Sequence, residues 1–443
     1  MQVRAIQHSP KLIKYSVIDH LVSSQATVGF FYQYQIDQKI LLSGLQQALN
    51  DFPLFAGTIE RIDNLLYINC NNNGVDFSVI QHDCPIVEAL QELFDDTPQK
   101  NLFDVIDMKT VISNQTAVLK VKVNYFSDGG MCLGICWHHS VGDMHTFMCF
   151  MKAFSNIIAG KNNDVKPLIV EDRGQYLNEQ LEDKYNPPPG IRYLTIPDIA
   201  KFILYKLFKA KDKIRQQFYF SQDELQAMKQ AFIAKNDGNI LSTNDVLCAH
   251  MFTIITEYDP KIRNRYLSIA VNYRSKTNLP ENLLGNMSAS VNIVCQPQQT
   301  AASIAKKVRN TIDSFATHGM NYFSNCRFVS QKGSEAKMSR FIYKSIDPAK
   351  GCLLITNWSK FDVYNINFGQ EAPFYFTPIA NVPFPWLSAI VEGFSNNGLI
   401  FSVVLPSVIA KKLTSEQGLA KIHQYRNSSE TLPGLVTSLK WVS

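Results

Sequence analysis

Between residues 39 and 57, "KILLSGLQQALNDFPLFAG" carries apolar residues at helical spacing until Pro53 interrupts it, which predicts a helix ending just before that proline. The following "NLLYINCNNNGVDFSVI" reads as short strands broken by an Asn/Gly turn. Leu119, Val121 and Val123 alternate with Lys120 and Lys122, the period-two pattern of a half-buried strand. Ser127-Asp128-Gly129-Gly130 supplies a turn into a second strand that runs to "GICWHH". Past Asp143 the spacing changes: Phe147, Phe150, Met151, Phe154, Ile157 and Ile158 fall on one face of an amphipathic helix. The pair His138-His139 is therefore predicted where a strand hands over to a helix.

From about 160 to 215 the periodicity fades, and Pro187, Pro188 and Pro189 in series can continue neither a helix nor a central strand. Within this stretch "IPDIAKFILYKLFKAKDK", 196–213, is apolar with lysines at 201, 206, 209, 211 and 213, the pattern of a helix lying on its own domain or on a membrane surface. Beyond it come a strand, "QQFYF", and a helix, "SQDELQAMKQAFIAK", with Ser221 and Glu224 at capping-box spacing. A second helix, "STNDVLCAHMFTIITEY", has Ser242 or Thr243 as its cap. Five β-rich segments then interleave with the long helix "AASIAKKVRNTIDSFATHG", with no fixed period that would suggest repeats. The expectation is a mixed α/β chain with an N-terminal domain at 1–180, a crossover linker at 181–215 and a C-terminal domain at 216–443.

Length agrees with two domains, because 443 residues exceed the size at which one core stops growing, roughly 250–300. The net charge of +5 comes from 43 basic and 38 acidic residues without a long run of one sign, so nucleic acid is not an implied partner. Nine scattered cysteines, odd in number and without a CxxC pair, argue for reduced thiols over a disulfide frame or zinc knuckle. No window reaches the ~18 apolar residues of a membrane span, and the first residues lack the apolar core of an export signal. A cytoplasmic monomer is expected, with the Asn-x-Ser/Thr triplets at Asn114, Asn286, Asn357 and Asn427 read as chance.

The candidate chemistry lies in "GICWHHSVGDMHTF". A neutral imidazole can take a proton from an alcohol or amine as that group attacks a carbonyl, so His139 is the candidate base. Asp143, one helical turn on, either orients the imidazole or braces the loop through a cation elsewhere. A bare His-x-x-x-Asp pattern recurs by chance, and a histidine at a strand end is commonly structural. His138, His139, Asp143 and His145 also cluster, but adjacent strand residues point to opposite faces, so no metal site is expected.

Taken in order, "FPLFAG", "LLYINCNNNGVDF", "VKVNYFSDGGMCLGICWHHSVGD", "STNDVLCAH", "VNYRSKTNLPENLLGN" and "LLITNWSKFDVYNINFG" resemble the BAHD acyltransferases, the acyl-CoA-dependent family of the chloramphenicol-acetyltransferase-like superfamily. The resemblance spans about residues 15 to 440. It implies two chloramphenicol-acetyltransferase-like domains, each a mixed β-sheet with flanking helices, and a channel between them. In that channel His139 is the base, reached by acyl-CoA from one side and a hydroxyl or amine acceptor from the other. The implied reaction forms no acyl-enzyme and uses no permanently bound cofactor. The Thr356 hydroxyl and Trp358 indole N–H become the oxyanion donors, each worth on the order of 10²–10³ in rate.

The same resemblance pairs Asp143 with Arg274, where a bidentate fork would tie the loop to the other domain. It places Ser242, Thr243 and Lys360 near the pantetheine and phosphates of CoA, and makes Phe368 and Gly369 structural. Two departures stand out: Met144 replaces the family's glycine after the motif aspartate, and Asn367-Phe368-Gly369-Gln370-Glu371 replaces its Asp-Phe-Gly-Trp-Gly signature. A donor carried on a carrier protein, or a binding protein on the same fold, are the alternative readings. Phe147, Phe384 and Trp386 are open as either core or substrate-facing residues.

Overall fold

Two six-stranded sheets frame the chain in the computed structural model, which describes residues 1–94, 101–113, 115–163, 166–208, 212–236, 238–259, 265–347, 352–379 and 385–434. Strands β1 (Gln2–Val3), β2 (Leu12–Lys14), β3 (Gln25–Tyr32), β4 (Thr58–Ile62), β5 (Leu65–Asn69), β6 (Val75–His82), β7 (Leu119–Phe126) and β8 (Met131–His138) come first. They are followed by β9 (Ile191–Tyr193), β10 (Lys213–Phe220), β11 (Arg265–Asn272), β12 (Ser288–Cys295), β13 (Phe341–Tyr343), β14 (Cys352–Asn357), β15 (Tyr375–Ile379), β16 (Leu387–Glu392) and β17 (Leu399–Pro406). The first sheet has the order β1-β6-β7-β8-β3-β15 and the second β10-β17-β16-β14-β11-β12. Each is mixed: β6 runs parallel to β7, and β14 runs parallel to both β11 and β16.

The predicted turn at 127–130 joins β7 to β8, with Val121 opposite Ile135. The alternation in β7 does not produce a wet face, however. Lys122 is buried against Asp104 at 3.0 Å, and Asn124 donates to the Leu102 carbonyl at 3.1 Å, because the segment around 102–104 covers the side that periodicity assigns to solvent. Phe147 belongs to the core, its ring stacked on Trp137 at 4.1 Å, and Trp386 is packed against the second core. Phe384, Asn114, Lys209 and Lys211 lie outside the described residues.

The two halves interlock. β15, from the second half, extends the first sheet antiparallel to β3, and Phe376 meets Phe30 with ring centres 4.9 Å apart. The stretch expected to be linker, 181–215, holds the helix Ile196–Phe208 and β9, which pairs with β13. Ser221 does cap its helix, accepting from the Glu224 amide at 3.0 Å, yet the reciprocal half of the box is missing. The Glu224 carboxylate instead accepts from His423 at 2.9 Å and Arg426 at 3.0 Å, a charged demand stronger than one backbone N–H. Ser242 caps helix Thr243–Glu257 with a complete box, closed by Asp245.

Candidate active site

β8 delivers the two histidines to opposite sides. His138 points into the core, where its ring lies 2.6 Å from the Ser140 hydroxyl, and burial, reinforced by its neighbour His139, brings its pKa down to about 3. His139 faces the other way, into a cavity of about 440 Å³ lined by residues of both halves of the chain. Its backbone N–H donates to the Ser24 carbonyl at 2.8 Å, which fixes the point where strand becomes loop.

Asp143 caps the helix Met144–Ile158, its Oδ1 accepting from the Thr146 amide at 3.0 Å. Its Oδ2 accepts from Arg274 Nη1 at 2.8 Å and from the Met287 amide at 3.0 Å. The expected bidentate fork is not formed, because Oδ1 is committed to the cap and Arg274 Nη2 turns instead to the Gly285 carbonyl at 3.0 Å. Burial alone would raise the Asp143 carboxyl, but the charge and hydrogen bond of Arg274, then the Met287 amide, bring it down to about 2. Of the two roles open for Asp143, the contacts are those of a brace: its oxygens hold Thr146, Arg274 and Met287, and the imidazole bonds elsewhere.

That other partner is Asn286, fully buried between the halves, whose Oδ1 lies 3.1 Å from His139 Nδ1. Its amide nitrogen donates to Asp19 Oδ1 at 2.8 Å and to the His139 carbonyl at 2.9 Å. Both of those partners are acceptors, so the amide has one orientation and Oδ1 must receive. Asp19 in turn accepts from Arg173 Nη1 at 2.9 Å, and Arg173 also donates to the carbonyls of Ser140 at 3.0 Å and Val141 at 2.8 Å. Gly285 precedes Asn286 with φ of +129°, and a Cβ there would meet Arg173 Nε at 2.7 Å, so this close approach needs glycine. Asn286, Asp19 and Arg173 escaped the sequence reading. The one visible trace is the Asn286 triplet, which by sequence alone reads as chance.

Thr356 at the end of β14 and Trp358 just beyond it line the same cavity as His139, as do Met144, His145, Asn357 and Phe361. The residues expected near CoA are not brought into it. Ser242 is engaged as a cap, Thr243 opens the helix behind it, and Lys360 is exposed two residues beyond Trp358. Asn357 does link the two regions, donating to Asn244 at 2.8 Å. Phe368 and Gly369 lie away from the cavity: Phe368 is wedged between Tyr32 and Phe154, and its amide donates to Ser155 at 2.8 Å. Gly369 has φ of +80° and would place a Cβ 3.1 Å from Ala159.

The profile of the Transferase family matches residues 4–417. The chain belongs to the Transferase family. This agrees with the BAHD acyltransferase resemblance of the sequence, which covers a similar stretch of the chain. Among Transferase family relatives, rosmarinate synthase from Plectranthus scutellarioides is 24% identical over 399 residues, covering 86% of each chain. Vinorine synthase shares the fold with a TM-score of 0.68 at 16% identity, over 99% of this chain and 97% of that one. The TRI101 protein of F. graminearum, solved as a complex with coenzyme A and deoxynivalenol, superposes with a TM-score of 0.73 at 13% identity, over 92% of this chain and 98% of that one. Two mixed sheets with flanking helices are thus a fold this chain shares with both solved structures.

Proposed function

We propose that this acyltransferase moves an acyl group from an acyl-CoA thioester to a hydroxyl or amine of a small-molecule acceptor, with His139 as general base. The observation that carries the reading is the Asn286 contact. With Asn286 Oδ1 obliged to accept at 3.1 Å, the proton of a neutral His139 belongs on Nδ1, which leaves the Nε2 lone pair as the basic site. The acceptor's O–H or N–H would give its proton to Nε2 while the heteroatom attacks the thioester carbonyl. The negative charge then developing on that carbonyl oxygen would be met by the Thr356 hydroxyl and the Trp358 indole N–H, both on the cavity wall. Collapse expels the CoA thiolate, which recovers the proton from the imidazolium, so the enzyme ends as it began. No side chain need be acylated, because both substrates are brought to one imidazole.

Free-thiol release from a panel of acyl-CoAs with alcohols and amines tests this directly. Wild-type turnover, and its near-complete loss in a folded His139→Ala variant, are expected. Full activity of that variant would refute the base assignment. Inactivity with every acyl-CoA, combined with turnover from a loaded carrier protein, would transfer the reading to a carrier-dependent donor.

A further inference from the structure

We propose that the helix Ile196–Phe208 docks on an anionic membrane, and that the acceptor is an uncharged lipophilic alcohol or amine that enters the His139 cavity from that surface. At about 100° per residue, positions 196, 197, 200, 203, 204, 207 and 208 form one stripe roughly 140° wide. Every residue in it is apolar: Ile, Pro, Ala, Ile, Leu, Leu and Phe. It faces outward, with Ile196 71%, Ile203 52%, Leu204 55%, Leu207 54% and Phe208 76% exposed. A surface helix of a globular domain normally turns such a face inward.

The inward side of the same helix meets the cavity. Phe202, on the face opposite the stripe, lines it together with Leu21, Val22, Ile342, Tyr343 and Ile346. Among the described residues no lysine, arginine or glutamate lines the cavity, and the one acid that does, Asp143, is paired with Arg274. A charged acceptor would find no free counter-ion there, whereas an apolar one loses little on leaving a bilayer for such walls.

Charge identifies the occupant as an anionic lipid surface. Lys201 is exposed at the rim of the stripe, and 196–213 carries lysines at 201, 206, 209, 211 and 213 against two acids, Asp198 and Asp212. Both acids are engaged: Asp198 accepts from Thr195 and pairs with Arg192 at 3.3 Å, and Asp212 accepts from Ser407. An apolar stripe with an exposed lysine at its rim, in a stretch of sequence where lysines outnumber acids, is the pattern of an interfacial helix, and a lysine near an anionic leaflet adds to the attraction.

The acceptor's route rests on the acyltransferase reading; the docking does not, so the test is flotation of the full chain with vesicles, which needs no turnover. Wild type should float with vesicles of equal parts phosphatidylcholine and phosphatidylserine, and added salt should weaken it. The Leu204→Ser/Leu207→Ser/Phe208→Ser variant, altered only at exposed positions, should bind about a hundredfold more weakly with an unchanged melting temperature. Lys201→Glu should weaken binding to the anionic vesicles alone. Failure of wild type to float, equal binding to pure phosphatidylcholine, or a triple variant that floats like wild type would overturn the proposal. A wild-type dimer that the triple variant converts to monomer would overturn it too, by assigning the stripe to a second copy. A chain that floats but turns over no acyl-CoA would fail the function and not the surface.

Discussion

Replacing Asn286 with alanine separates the chemistry from the fold. The substitution removes the oxygen 3.1 Å from His139 Nδ1 and the N–H that Asp19 accepts at 2.8 Å. Asp19 is buried and keeps Arg173 and its Ser16 contacts, so the loss is one donor to a buried charge, about 1–3 kcal/mol, one donor to the His139 carbonyl, about 1 kcal/mol, and ~1 kcal/mol for the truncated volume. The imidazole, no longer held, can carry its proton on Nε2 or turn from the cavity, and a general base contributes ~10²–10⁴ in rate. We therefore expect kcat to fall about a hundredfold or more. KM should hardly move, because Asn286 does not itself line the cavity. Initial rates of thiol release at varied acyl-CoA and acceptor concentrations read that split, and circular dichroism reads the melting temperature. Phe368→Ala sets the baseline: it empties a buried site between Tyr32 and Phe154, costs ~3–5 kcal/mol, and lies off the cavity, so it should lower stability and spare kcat. A folded Asn286→Ala enzyme with kcat within about threefold of wild type would refute the positioning argument, since even the lower end of a base's contribution is larger.

Arg274→Ala leaves the buried Asp143 carboxylate without its 2.8 Å counter-charge and should cost ~3–5 kcal/mol, read as a lower melting temperature; an unchanged melt would remove the brace from the account. Asp143 itself makes stability depend on acid. Its folded pKa is about 2 against an ordinary 3.8, so its contribution is fully present above about pH 4 and lost as pH falls through about 2; Asp143→Asn should flatten that part of a stability–pH curve, and an identical slope would count against it. Trp358→Phe keeps an aromatic side chain and removes the indole N–H, so kcat should drop on the order of 10²–10³ with the chain still folded, and a rate near wild type would exclude the indole as oxyanion donor.

How far the sequence could be read depended on how local each cause was. The 127–130 turn, the cap at Ser242 and the strand-to-helix handover at His139 follow from neighbours within a few residues, and they were legible. The pairing of Asp143 with Arg274 is legible through family order alone, since 131 residues separate them. Its single-pronged geometry was not, because nothing in the sequence says that Oδ1 serves Thr146. Lys122 shows the same limit: alternation assigned it to solvent, and the 102–104 segment covers it. Asn286 was hidden for a stronger reason. Its role arises from four groups, His139, Asp19, Arg173 and Gly285, drawn from four separate stretches, and no periodicity or spacing records that meeting.

The position of those partners makes the proposed base a property of the assembled chain. His139 and Asp143 come from the first half, yet the acceptor for Nδ1 and the counter-charge for Asp143 both come from 274–287, the segment joining β11 to β12 in the second. Met287 and Gly285 in that segment hold the same loop through backbone groups, and Thr146 exchanges hydrogen bonds with Gly285 at 2.9 Å in both directions. Separated, the first half would keep a histidine without its Nδ1 partner and a capping aspartate without its arginine, each a loss that water offsets only in part. Tautomer, loop shape and cavity wall are thus set by one docking contact. A substitution anywhere in 274–287 that loosens it should reduce rate before it unfolds either sheet, because the sheets carry their own cores while the imidazole depends on the seam.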